Sequence, residues 1–313
     1  MDPMTVFNLH PDMAPLVAAK QAVPTEAAST AQRNSWDSYD AALRRPYPAD
    51  MEVRDAKLPR AGWDIPVRIY RPRAAPKPSP IAVYIHGGAF IKGSLDSGDP
   101  IAWGVAQQTG CMVVSIDYRL APEHPFPTGV EDCYAAISYL AQHGGELGGD
   151  PTRIGLWGDS AGGNMVASCC LMARDRNGPK IAAQVLIYPC LTDELTLPAY
   201  ETYRHSPVTT AGMDKAWDLY LGKRRPSDDP YAVPLKAKNL SHLPPAHIHV
   251  AEVDCLADDG RVYAQRLKKA GTPVVFRVAE RMIHGFTRAR FSGPAAAAEF
   301  QAPCDFLKSY LFA

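Results

Sequence analysis

A chain of 313 residues, 46% hydrophobic and 21% charged, has ordinary globular composition and enough apolar material for one large α/β core. Its 33 Lys and Arg balance 33 Asp and Glu, so nothing marks a nucleic-acid footprint or a polybasic membrane patch. Seven cysteines without framework spacing argue against a disulfide scaffold, and no secretory pattern or run of about 18 apolar residues is present, so a cytoplasmic protein is expected.

Residues 1–50 carry two helical patterns, at about 13–21 and 30–45, with Ser29 or Thr30 as a cap for the second. Prolines punctuate both, and no strand is expected there, so the segment reads as an accessory layer. Residues 65–72 alternate and suit an edge strand, followed by a Pro-rich turn from Pro72 to Pro80. From residue 81 the rhythm is strand and helix. Core strands are expected at 81–85, 111–116, 153–157, 181–188, 246–253 and 273–278. A helical spacing links Val130, Cys133, Tyr134, Ile137 and Leu140, and Gly144-Gly145 reads as its stop rather than a dinucleotide loop. Residues 164–172 form an apolar helix in which Cys169 and Cys170 are small hydrophobes. Residues 190–235 break the rhythm and read as an insertion with one helix near 213–221. Helices are expected at 258–270, where Asp258 and Asp259 suit the N-terminal turn, and at 294–311, kinked or split at Pro303. The alternation predicts a mostly parallel sheet covered on both faces.

Three stretches carry chemistry. Gly158-Asp159-Ser160-Ala161-Gly162 sits between a strand and a helix, the setting of a nucleophile elbow. A serine at such a tip is strained, and bulky neighbours would collide with the turn. His86-Gly87-Gly88-Ala89-Phe90 follows the strand 81–85 directly. Its glycines can aim successive N–H groups at one point, as a tetrahedral oxyanion requires. Gly87, Gly88 and Ala161 are the expected donors. The third stretch supplies the base. Of His205, His242, His247, His249 and His284, only His284 follows every strand-end carboxylate and lies in a loop just past a strand. His247 and His249 share one face of a strand, and His124, between prolines, reads as structural. Asp254 ends the strand 246–253 and is the expected acid, ahead of Glu252, which stays in the strand, and of Asp258 and Asp259.

These motifs, with Asp117-Tyr118-Arg119-Leu120-Ala121-Pro122-Glu123, Asp159-Ser160-Ala161-Gly162-Gly163-Asn164, Val253-Asp254 and His284-Gly285-Phe286, make the chain resemble the hormone-sensitive-lipase-like family of α/β hydrolases, in its bacterial esterase branch. The resemblance spans about residues 60–313. It implies an α/β-hydrolase fold with a mostly parallel central sheet, helices on both faces and a helical cap. It implies a nucleophile at Ser160, an acid at Asp254, a base at His284 and oxyanion donors at Gly87, Gly88 and Ala161. Residues 1–50 and about 190–235 would form the cap, and 51–313 the catalytic domain. Arg119 and Glu123 are implied to be scaffold. Two positions depart from the family pattern: Ala89 stands third after His86, and Cys255 follows the acid where proline is frequent.

The function expected is a cofactor-independent, metal-free serine carboxylesterase acting on small-molecule esters, with no nucleic-acid or membrane partner. The resemblance implies short to medium acyl chains and, often, a homodimer. An amidase or lactonase would use the same triad. Plant gibberellin receptors resemble the family but lack the catalytic histidine, so His284 argues for chemistry over a ligand receptor.

Overall fold

The computed structural model describes residues 2–22, 36 and 38–313. Eight strands form one sheet in the order β1-β2-β4-β3-β5-β6-β7-β8. They are β1 (Met51–Leu58), β2 (Ile65–Pro72), β3 (Ser79–Ile85), β4 (Met112–Ile116), β5 (Gly149–Asp159), β6 (Ala183–Ile187), β7 (Ala246–Val253) and β8 (Val274–Ile283). β2 runs antiparallel to both β1 and β4, and every other pairing is parallel. The helices are α1 (Pro3–Val6), α2 (Ala14–Gln21), α3 (Leu95–Thr109), α4 (Thr128–His143), α5 (Ala161–Asp175), α6 (Pro198–Thr202), α7 (Thr210–Leu221), α8 (Ala257–Lys269) and α9 (Pro294–Leu311).

The central strands are buried on both faces, which is why β3, β4 and β6 read as continuous apolar runs. Alternation sends successive side chains to opposite cores. Ile81, Val83 and Ile85 of β3 join Val130, Ile137 and Met165 under α4, α5 and α8. Ala82 and Tyr84 join Ile101, Trp157 and Phe300 under α3 and α9.

The expected α/β-hydrolase architecture is present, with three local differences. The expected edge strand lies inside the sheet, because β1 covers it in an eight-residue antiparallel ladder. α3 was not expected, since Gly98, Pro100 and Gly104 interrupt its helical pattern. It forms nonetheless, because Ser94 and Ser97 make a reciprocal capping box and Gly110 closes the helix in the left-handed region. α9 runs unbroken through Pro303. The helical expectation over 30–45 lies partly outside the described residues; within it, residues 38–43 are helical.

The segments outside the strand–helix rhythm are pinned to it. Asn164 Nδ2 of α5 donates to the Cys190 and Ala232 carbonyls, at 2.9 and 3.0 Å, near the two ends of the 190–235 segment. At the N-terminus, His10 N–H donates to the Arg281 carbonyl and Asp12 accepts from the Ala296 N–H of α9. Asp40 and Arg288 form a buried ion pair of 2.5 Å. No helix among the described residues is long and apolar enough to cross a membrane.

Candidate active site

The carboxyl ends of β3, β5, β7 and β8 open into one crevice, where open parallel sheets commonly place their ligands. Ser160 sits between β5 and α5 with φ 56° and ψ −119°, a strained conformation for a residue with a side chain. The neighbouring glycines make the turn possible. A Cβ on Gly162 would lie 1.9 Å from the Ile85 carbonyl oxygen, and one on Gly158 would lie 2.2 Å from that of Gly162. Ala161 is the first residue of α5, so its N–H has no intrahelical acceptor.

The loop after β3 lies beside this elbow. Asp159 Oδ1 accepts from Tyr84 Oη at 2.7 Å and from the Gly87 N–H at 3.1 Å, binding the loop to the elbow. Gly88 has φ 130°, and a Cβ there would meet the Lys92 carbonyl at 2.0 Å, so only glycine fits. Among the described residues, the N–H groups of Gly88 and Ala89 have no acceptor, and both residues line the crevice. Gly87 N–H is already engaged by Asp159. The buried His86 holds the loop from below: Nδ1 contacts the Gly87 carbonyl at 2.8 Å, and the ring stacks on Tyr118 at 4.3 Å. Burial pushes the His86 imidazole below its usual range, so it stays neutral. Tyr118 Oη in turn donates to the His86 carbonyl. Arg119 grips the buried Asp132 through its side chain and its backbone N–H, as scaffold.

Asp254, directly after β7, is fully buried, and its Oδ2 lies 2.7 Å from Nδ1 of His284, directly after β8. Its Oδ1 accepts from the Leu256 N–H at 3.1 Å, so both oxygens have partners. Tyr188 packs on the imidazole with ring centroids 4.4 Å apart, and its hydroxyl is tied to Thr287 Oγ1 at 2.5 Å. The imidazole edge away from Asp254 is left for the crevice, which His284 and Ser160 both line. No hydrogen bond joins the two in this structure; such contacts commonly tighten only with substrate bound.

The competing residues have other partners. Glu252 is exposed and accepts from the Arg281 N–H at 2.6 Å. Asp258 accepts from the Ala199 N–H at 2.9 Å. His249 pairs with Glu299 at 2.9 Å and neighbours His247 on β7; burial pushes His247 down to about 3. Asp259 departs from the sequence reading. Rather than serving its own helix terminus, it is fully buried, and its Oδ2 accepts from the Leu191 and Thr192 N–H groups and from Tyr200 Oη. Burial outweighs those donors and pushes its carboxyl up to about 8.

The crevice is a cavity of about 600 Å³. The loops that follow β3, β5 and β8 line it through Gly88, Ala89, Ser160 and His284. Phe7, Val17 and Lys20 from the N-terminal segment and Val208, Thr209 and Met213 from the 190–235 segment form much of its wall. Three features were not anticipated from the sequence: the engagement of Gly87 by Asp159, the exposure of the Ala89 N–H, and the packing of Tyr188 on the imidazole. Only the second had a signal, since Ala89 occupies the third position of the loop motif.

Comparison with known proteins agrees with this architecture. A family model described as alpha/beta hydrolase fold matches residues 82–288. Carboxylesterase NlhH of Mycobacterium tuberculosis is 40% identical over 238 residues, covering 75% of each chain. Esterase LipI of the same organism is 37% identical over 257 residues, covering 81% of this chain and 80% of LipI. Among solved structures, a bacterial heroin esterase superposes with a TM-score of 0.87 at 31% identity, covering 98% of this chain and 99% of its own.

Proposed function

As a member of the hormone-sensitive-lipase-like family of α/β hydrolases, the protein is a carboxylic-ester hydrolase, and we propose that Ser160, His284 and Asp254 perform its chemistry. The observation that carries this assignment is the 2.7 Å contact between Asp254 and His284 Nδ1, facing the same cavity as a strained serine. Asp254 fixes the imidazole so that Nδ1 carries the proton and Nε2 is free to accept one. As Ser160 Oγ attacks the ester carbonyl, its proton passes to Nε2, and the imidazolium that forms is stabilised by Asp254. The tetrahedral oxyanion takes hydrogen bonds from Gly88, Ala89 and Ala161, whose N–H groups are available; Gly87 holds Asp159 instead. His284 then protonates the leaving alcohol. Water, activated by the same imidazole, cleaves the acyl-enzyme and restores Ser160.

The N-terminal segment and the 190–235 insertion serve as the cap, since both contribute cavity wall. The volume and its apolar residues suit short to medium acyl chains. Seven buried free thiols support a reducing, cytoplasmic setting. Ser160→Ala tests the core of the reading. It should abolish aryl-ester hydrolysis with little change in melting temperature; retained turnover would remove Ser160 from the mechanism.

A further inference from the structure

The cavity walls carry more positive charge than hydrolysis of a neutral ester needs. Lys20, in the last turn of α2, and Lys92, in the loop that follows β3, both line the cavity. Among the described residues, Lys20 Nζ donates to the neutral Pro207 carbonyl, at 3.1 Å. Lys92 Nζ lies 4.8 Å from the centre of the Trp36 ring. Among the described residues, neither ammonium is within ion-pair distance of a carboxylate. Other charges at the cavity have partners. Arg288 is held by Asp40, Asp254 by His284, and Asp159 by Tyr84 and Gly87.

Both lysines are half-buried; an ammonium partly withdrawn from water without a nearby counter-ion is costly, and an apolar side chain would line the same cavity at lower cost. A basic residue in the last turn of a helix favours the helix dipole, but that favours an exposed lysine equally well. The positive potential is felt locally: burial, Lys92 and Arg288 together push Lys20 down to about 8 despite the opposing pull of Asp254. Burial likewise lowers Lys92.

Resting on the esterase reading above, we propose that the preferred substrates are esters bearing a carboxylate on the arm that reaches Lys20 and Lys92. Such a group supplies the counter-charge that the described residues do not bring within ion-pair distance of either ammonium. The carboxylate can belong to the acyl arm, as in a monoester of a dicarboxylic acid, or to the alcohol arm, as in an ester of a hydroxy acid. The chemistry recognised is the same, and the geometry of attack on Ser160 decides between them.

The test uses two matched pairs of esters on the full-length protein. 4-Nitrophenyl hemiglutarate against 4-nitrophenyl pentanoate reports the acyl arm. 4-Acetoxybenzoate against 4-acetoxybenzamide reports the alcohol arm. Spontaneous hydrolysis is subtracted, and the readout is the ratio of kcat/KM, charged over neutral, at low ionic strength. The expected ratio is about tenfold or more for at least one pair, the scale of one charge contact in a partly desolvated site. It should fall several-fold in Lys20→Met and Lys92→Met, and toward unity in high salt. Because each ratio is taken within one protein, a general loss of activity cancels. Ratios at or below one for both pairs, with the neutral esters turned over through Ser160, would overturn the proposal and leave the esterase reading intact. A high ratio untouched by either substitution would overturn the assignment to these lysines. Failure to hydrolyse any of the four esters would count against the esterase reading itself, and this proposal would fall with it.

Discussion

The residue that separates this site from a generic strand-end cluster is Asp254. Three other carboxylates lie within five positions of it, and each has a different partner: Glu252 holds the Arg281 backbone, Asp258 the Ala199 backbone, and Asp259 the start of the 190–235 segment. Only Asp254 reaches an imidazole. Asp254→Asn should therefore hold His284 in the wrong tautomer, a change that costs on the order of 10⁴ in turnover in a well-studied serine protease. Glu252→Gln should keep most activity. Steady-state rates on one aryl ester, with melting temperatures alongside, check both, and the reverse ranking would show that the acid is misassigned. The Asp254–His284 contact, and the cavity that Ser160 and His284 share, were legible in the sequence because each of the three residues stands where an apolar strand gives way to a loop, in the order serine, acid, histidine. The role of Asp259 was not legible. Its partners come from residues 191–200, and nothing in the local pattern shows a helix-start carboxylate turned inward.

At the scale of elements, the loop after β3 and the elbow after β5 work as one unit, joined by Asp159. The glycine spacing announced both turns. It could not show that the Gly87 N–H is taken up by Asp159 while Ala89 faces the cavity, because that depends on how the two loops meet. α3 and β1 were hidden for opposite reasons. α3 is rich in small residues and helix breakers and is held by caps and burial, whereas β1 is a polar edge strand with little alternation. The insertion meets α8 through Asp259, and this junction has a pH signature. The folded carboxyl, raised to about 8, holds its proton where the unfolded one, near 3.9, releases it. Its contribution to stability is thus complete below about pH 4 and is lost as pH rises through about 8. Asp259→Asn keeps an acceptor for the same donors but cannot ionise. Its melting temperature should gain on that of the wild type between pH 4 and 9; a constant difference across that range would contradict the burial account.

Over the whole molecule, the strand ends position Ser160, Asp254 and His284, and the accessory segments contribute residues to the cavity wall. The N-terminal segment is fastened to the histidine loop by the buried Asp40–Arg288 pair, and the insertion is fastened to α5 and α8. If the insertion forms the acyl wall, filling the cavity from it should shorten the preferred chain. Val208→Trp should lower kcat/KM for an octanoyl ester relative to an acetyl ester by about tenfold, the scale of two lost methylene contacts. An unchanged ratio in a folded variant would take residue 208 out of the acyl wall.

The central claim is a covalent one: the acyl group passes through Ser160. Quenching turnover of an aryl ester, or treating the protein with a serine-reactive phosphonate, and then mapping the adduct by peptide mass spectrometry tests it directly. A single adduct on Ser160, absent from Ser160→Ala, is the predicted result. An adduct on another residue, or ester turnover by Ser160→Ala at the wild-type rate, would contradict it.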